Sequence, residues 1–196
     1  MRMSALLPVE IDPRNRLLME QIGRLRVRAW APFIPGILDK FECWLDEFEL
    51  SARHWAVFDD SEIIAAARMS IHDCLHDVPD AESFVSVFKE EPPSPIASFN
   101  RLVVDAGFRG RGLSTLLDKI RIQAAVAAGC RCCIGSTPSG AHRLKQLVEV
   151  GFETVGCPIL EPVDSIFTGL CSQTILLRLP RPTLEMKGPG TIDDAR

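Results

Sequence analysis

Apolar residues recur at helical spacing near the start of the chain. Leu18, Ile22, Leu25 and Ala29 fall on one side of a segment from Pro13 to Trp30, and Arg14, Arg24 and Arg28 fall on the other. Pro32 and Pro35 end this helix. Ile37, Phe41, Trp44, Leu45 and Phe48 repeat the same spacing and predict a second helix. Its other face carries Asp39, Glu42, Asp46 and Glu49, an acidic stripe expected to be solvated. The pattern then changes to that of strands. His54 to Phe58 and Ile63 to Ile71 are rich in β-branched, aromatic and small apolar residues around Asp59-Asp60-Ser61, which predicts a hairpin. From Asp73 to Pro95 the chain carries Pro79, Pro92, Pro93 and Pro95 about a short helical stretch, Ala81 to Lys89. This predicts a long insertion between strands, a common setting for a functional lid.

Ile96 to Val104 reads as a strand. It runs into Asp105-Ala106-Gly107-Phe108-Arg109-Gly110-Arg111-Gly112 and then into a helix with Leu113, Leu116, Leu117, Ile120, Ala124 and Ala127 inside, stopped by Gly129. A buried strand from Cys132 to Ser136, a helix from Ala141 to Val150, a strand from Gly151-Phe152 to near Gly156 and a last strand from Gln173 to Leu179 follow. After Pro180 the composition turns to proline, glycine and charge. Residues 1–180 are therefore expected to form one domain, with 181–196 a tail that has no part in the core.

Composition narrows the function. A chain of 196 residues with 46% hydrophobic and 24% charged residues has the balance of a soluble globule. Its net charge of −4 gives no overall field for nucleic acid or an anionic membrane, so any anion site must be local. The start of the chain lacks a long apolar stretch and a small-residue cleavage site. With Cys43, Cys74, Cys130, Cys132, Cys133, Cys157 and Cys171 odd in number, reduced thiols in a cytoplasmic protein are expected. No metal site is expected either. Cys132 and Cys133 would point to opposite faces of a strand, and His72 and His76 stand in a predicted loop.

The unit that carries chemistry is the glycine turn between strand and helix. Gly110 and Gly112 remove side chains that would hold a ligand off the backbone, and the following helix aims its unpaired N–H groups and positive dipole end at the turn. That suits a phosphate. Arg109 and Arg111 add two charges, and Ser114 and Thr115 add hydroxyls. The G-x-x-x-x-G-K-[ST] phosphate loop is absent, and a third glycine of the dinucleotide fingerprint would fall on Thr115. The Gly135-Ser136-Thr137-Pro138-Ser139-Gly140 run does not match a hydrolase nucleophile elbow.

Arg109-Gly110-Arg111-Gly112-Leu113-Ser114, preceded by Leu102-Val103-Val104-Asp105 and Phe108, resembles the acetyl-CoA motif of the GNAT superfamily of N-acetyltransferases. Ser114 at the last small position is the departure. The likeness covers Ser98 to Gly156 and implies an α+β fold, a mixed and mostly antiparallel central sheet flanked by helices. It also implies a co-substrate, acetyl-CoA or another acyl-CoA, with no metal. The backbone of Leu102 and Val104 would pair with the pantetheine arm, the amides of Arg109 to Ser114 would hold the pyrophosphate, and the amides of Val103 and Val104 would meet the thioester carbonyl. The acceptor would be an amine of a small molecule or a protein, with a homodimer allowed for. The family often places a glutamate on the motif strand and a tyrosine on a later helix. Alignment puts Ser98 and Leu147 there, so Asn100, on the same strand face as Ser98 and Leu102, together with Ser136, Thr137 and His142, are the candidate substitutes. Arg24, Arg26, Arg28, Trp30, Asp46 to Glu49, His54, Arg68 and Asn100-Arg101-Leu102 also look loosely like the acyl-homoserine lactone synthases of the same fold. A non-catalytic acyl-CoA-binding module is the alternative that the two replaced positions motivate.

Overall fold

The computed structural model describes residues 6–140, 142–161 and 167–180, so Ala141 and the tail 181–196 lie outside the described residues. The first amphipathic segment is helix α1 (Arg16–Trp30), capped where Asn15 Oδ1 accepts from the Leu18 amide at 3.2 Å. A short strand, β1 (Pro8–Ile11), precedes it and pairs with β2 (Arg53–Asp59). Four residues with exposed Val9 and Glu10 give no period to read. The hairpin of β2 and β3 (Glu62–His72) and the strand β4 (Ile96–Val104) form where the pattern predicts.

The predicted second helix stops early. Only α2 (Ile37–Lys40) is helical, and Phe41 turns to extended backbone at φ −137°. The apolar residues that suggested one stripe are drawn into a loop over α1. Trp44 packs with Val27, Ile34 and Ile37, and its amide donates to the Gly23 carbonyl at 3.2 Å. Gly23 makes this approach possible, since a Cβ there would stand 2.3 Å from Cys43 Sγ. Nor is the acidic stripe solvated throughout: Asp46 and Glu49 turn inward to buried arginines.

The remaining elements are α3 (Ala81–Val85), α4 (Leu113–Ala127), β5 (Cys132–Pro138), α5 (His142–Val150), β6 (Glu153–Leu160) and β7 (Cys171–Arg178). Seven strands form one sheet in the order β1-β2-β3-β4-β5-β7-β6. Every neighbouring pair is antiparallel except β4 and β5, and the fold is α+β in one domain. On one face Leu113, Leu117 and Ala125 of α4 and Leu147 of α5 bury Trp55, Ala67, Met69, Ala97 and Phe99. On the other, α1 covers Ala56, Ala66 and Val103. There the insertion docks Leu75, Val78 and Phe84 onto Ile96, Ile134 and Leu176, so it is a packed wall. Cys132 and Cys133 enter opposite cores, as strand alternation requires.

Two local features open this sheet in its middle. Opposite the single residue Ala67 of β3, β4 carries two, Arg101 and Leu102, with Arg101 at φ +53°. This bulge reverses the alternation. Before it, Ala97 and Phe99 face α4, whereas after it Leu102 and Val104 do so and Val103 faces α1. Asn100 thus shares a face with Ser98 but not with Leu102. The second feature lies between β4 and β5, whose pairing runs only from Ile96↔Cys132 to Phe99↔Gly135. Beyond that rung β4 stays with β3 and β5 stays with β7, so the two strands splay apart. Gly135 closes the rung tightly, because a Cβ there would lie 2.8 Å from the Phe99 carbonyl oxygen.

Candidate active site

The turn after β4 is built as a cradle. Asp105 accepts the Gly107 amide at 2.9 Å and starts a short helical turn, after which Gly110 and Gly112 take φ of +77° and +76°. These left-handed values favour glycine, and a Cβ at either position would meet nothing within 4 Å. Among the described residues the amides of Gly110, Arg111, Gly112, Leu113, Ser114 and Thr115 have no acceptor; the first amide of α4 engaged is that of Leu116, to the Gly112 carbonyl at 3.0 Å. A row of free donors at a helix start suits a phosphate group. Arg109 is tied back by Nη2 to the Ala29 carbonyl at 3.1 Å and lies over Phe33, and Arg111 lies over Phe108, so both charges stand at the rim. Ser114 Oγ donates to Gln146 Oε1 at 3.4 Å, which links α4 to α5.

The strand edge beside the cradle presents one clear donor. Asp105 N–H donates to the Ile64 carbonyl at 2.8 Å, and antiparallel alternation makes Val103 with Ala66 the next bonded pair. The Val103 amide is therefore turned to β3. Val104 directs its amide and carbonyl toward the splay, where its carbonyl accepts from Arg109 Nε at 3.4 Å.

On the face away from α4 the splay opens into a cavity of about 680 Å³. Ser98, Asn100 and Arg101 of β4 and Ser136, Thr137 and Pro138 of β5 form its floor, with Trp30, Trp44 and Phe167 as an aromatic wall and His76 and Glu82 from the insertion on the far side. Ser98, Asn100, Ser136 and Thr137 are thus brought together. His142 is exposed at the start of α5 and does not line this space. Leu147 is buried in the core with Phe99 and Phe152, so this position presents an apolar side chain and no proton donor.

Beneath the cavity lies a charged cluster that neither pattern nor spacing had assembled. Arg26 Nη1 donates to Glu49 Oε1 at 2.5 Å, Arg68 Nη1 donates to Glu49 at 2.9 Å and also to Asp46, and Arg101 Nη2 donates to Asp46 at 2.9 Å while its guanidinium lies 4.5 Å from the Trp44 ring centre. Burial pushes the Asp46 carboxyl up, but Arg68 and Arg101 outweigh it and hold the pKa at about 2. His54 Nε2 stands 2.9 Å from the Glu49 carbonyl, and burial lowers the pKa of this imidazole. Three guanidiniums face two carboxylates, and Arg68 Nη2 is buried without a partner among the described residues. A signal existed for both inner cations: Arg26 falls within the apolar face of α1, and Arg68 interrupts the buried run of β3.

The thiols of the 130–133 segment are buried in the core. Burial raises Cys130 and Cys133 and pushes Cys132 up to about 11. No group of metal-ligating side chains occurs among the described residues.

A family model, acetyltransferase (GNAT) family, matches residues 19–152. The chain belongs to the GNAT acetyltransferase family. Among solved structures, the coenzyme A-dependent acyl-homoserine lactone synthase BjaI, solved with SAM and isopentyl-CoA, is similar over 90% of this chain and 85% of its own at 16% identity and a TM-score of 0.68. The acyl-homoserine lactone synthase LasI is similar over 88% and 89% at 15% identity and a TM-score of 0.62. The ribosomal-protein-S18-alanine N-acetyltransferase of Escherichia coli is similar over 91% and 99% at 13% identity and a TM-score of 0.58. At these identities the likeness is one of fold. A search by sequence among curated proteins finds no match. No helix among the described residues is long and apolar enough to cross a membrane.

Proposed function

We propose that this GNAT family member is a coenzyme A-dependent N-acyltransferase that moves an acetyl or other acyl group to the amine of a small molecule or protein. One observation carries the reading: six consecutive unengaged amides, Gly110 to Thr115, stand beside a strand edge that has lost its neighbour, with a cavity at the same gap. The residues present fit the co-substrate. The Gly110 to Thr115 amides would hold its pyrophosphate, with Arg109 and Arg111 adding charge at the rim. Leu102 and Val104 would pair with the pantetheine arm on the open edge of β4. Acyl-CoA supplies a thioester, whose carbonyl gains negative charge when an amine attacks. The Val104 amide, turned away from β3 and needing no reorganisation, would donate to that oxygen. The cavity holds the acceptor, and a well-oriented amine and thioester lower the barrier by about 7–11 kcal/mol relative to free encounter.

The charged cluster favours a second, narrower reading within the same chemistry. Asp46, Arg68 and Arg101, three of the residues that suggested acyl-homoserine lactone synthases, meet beside the cavity. BjaI, the structural neighbour described with SAM and isopentyl-CoA, makes SAM the acceptor and a branched acyl-CoA the donor to try alongside simple amines.

Titration calorimetry with coenzyme A and acetyl-CoA, followed by free-thiol release with a panel of amines including SAM, tests both readings. Binding with turnover supports the enzyme. Binding without turnover across the panel supports a binding module. Gly112→Glu places bulk and negative charge in the cradle and should weaken coenzyme binding at least 100-fold; unchanged affinity overturns the assigned site.

A further inference from the structure

An amine with a reference pKa of about 10.4 enters as an ammonium ion, so acyl transfer needs a route for its proton. Ser98, which the resemblance puts at the place of a glutamate, is buried, lines the cavity and cannot itself keep a proton. We propose that Ser98 passes the acceptor's proton through Ser70 to His72, so that a serine–serine–histidine relay stands in for the carboxylate. The proposal rests on the acyl-transfer reading above and adds the proton path to it.

The groups lie on one face of two paired strands. Ser98 of β4 is directly opposite Ser70 of β3, and both are about 1% exposed. Directly opposed residues hold their Cβ atoms about 4.5–5.5 Å apart, so rotation about one χ1 brings two hydroxyls into contact. His72, two residues along β3 on the same face, has Nε2 at 2.8 Å from Ser70 Oγ. The other end of the chain is oriented by the charged cluster. Arg68 Nε donates to Asn100 Oδ1 at 2.5 Å, which commits the Asn100 amide NH₂ to Ser98 Oγ at 3.2 Å. Ser98 Oγ therefore keeps one lone pair for the amine, and its own O–H has no hydrogen-bond acceptor among the described residues, which leaves it free to turn to Ser70 Oγ, the hydroxyl directly opposite on β3.

His72 is half-buried, and burial lowers its pKa, a trend favoured by Arg68 and opposed by Asp77 and Asp73, the charged groups that face it. Burial thus favours the neutral imidazole, the form that can accept a proton. The ammonium gives one proton to Ser98 Oγ, the Ser98 proton moves to Ser70 Oγ, and the Ser70 proton moves to His72 Nε2. The freed lone pair forms the C–N bond, the C–S bond breaks, and the second nitrogen proton ends on the departing thiolate. His72 then releases its proton to solvent. Asn100 and Arg68 are positioning residues.

The test uses the full chain with acetyl-CoA and two probe nucleophiles, ethylamine, which is protonated at neutral pH, and hydroxylamine, which is not. His72→Gln, Ser70→Ala and Ser98→Ala should each lower kcat/KM for ethylamine 10- to 100-fold and for hydroxylamine less than 3-fold. The acid limb of the ethylamine pH profile should disappear in His72→Gln, and coenzyme A affinity should be unchanged. Equal losses with both nucleophiles, or none with ethylamine, overturn the relay. NMR titration of the imidazoles gives a readout free of turnover: the His72 midpoint should lie below 6.5 and move in Ser98→Ala. An unmoved midpoint in Ser98→Ala overturns the connection even if neither probe is acetylated. Loss of coenzyme A binding by the unaltered chain would instead remove the acyl-transfer reading itself.

Discussion

Replacing Asp46 by asparagine isolates the electrostatics of the loop packed over α1. The carboxylate bonds Arg68 and Arg101, and its pKa of about 2, against 3.8 when free, means that the folded state favours the ionised form. A tenfold change in an ionisation constant is worth about 1.4 kcal/mol, so ionised Asp46 contributes about 2–3 kcal/mol at neutral pH. Its side chain is 14% exposed, so solvent screens this only in part. The neutral amide in Asp46→Asn would also leave two cations short of a partner, and breaking a buried pair commonly costs about 3–5 kcal/mol. The expected loss in Asp46→Asn is about 2–4 kcal/mol at pH 7, read from urea midpoints. Because the folded pKa is depressed, the contribution is fully present well above pH 3.8 and disappears as pH falls toward 2. The difference between the two proteins should therefore shrink by roughly 1 kcal/mol between pH 6 and pH 3. A difference below about 0.5 kcal/mol at pH 7, or one that does not change with pH, would show that Asp46 is not paired with the two arginines.

Gly135→Ala would press a methyl group against the Phe99 carbonyl at the last rung before the splay. It should cost about 1–3 kcal/mol in urea unfolding and lower coenzyme A affinity, because the splay must shift to admit it; unchanged stability and affinity would show that the rung has room for a side chain. Leu147→Tyr places a phenol where a buried leucine packs with Phe99 and Phe152. It should destabilise by about 1–3 kcal/mol and leave kcat for any accepted amine no higher than in the unaltered chain; a rise in kcat would mean that the hydroxyl reaches the thiol.

What could be read in advance was local. The face of α1, the hairpin, β4 and the glycine turn each announce themselves within about a dozen residues, and periodicity or φ > 0 chemistry suffices. The 41–52 segment misled because the same apolar residues fit either one helical stripe or several separate pockets. Trp44 goes to the α1 cluster, Asp46 and Glu49 go to arginines on distant elements, and that choice is tertiary. The bulge at Arg101 carried no glycine to mark it. Counting alternate residues through it therefore placed Leu102 on the wrong face. Val104 and Asn100 could be named from the motif, but which strand their groups address depends on that one extra residue.

The buried arginines explain how a sheet can be opened in its centre without losing its shape. A bulge and a splay both remove ladder bonds, and the carbonyl beside the bulge, that of Arg68, accepts instead from Arg121 Nη1 at 3.0 Å. Arg121 comes from α4, is paired with Asp118 at 2.6 Å and lies 4.3 Å from the centre of the Phe99 ring, the residue of the last β4–β5 rung. Asp118 in turn holds Arg143 of α5 at 2.6 Å. On the opposite face the Arg68 side chain grips Asn100, Asp46 and Glu49. One residue thus receives support on its carbonyl from the face of the phosphate cradle and gives support with its side chain on the face of the cavity. Burying so many charges is expensive unless each finds partners, which makes them poor devices for stability alone. Planar guanidiniums with fixed donors do, however, define direction as well as contact. A site that must hold a thioester and an amine on either side of a gap needs that directional control where the backbone ladder has been withdrawn.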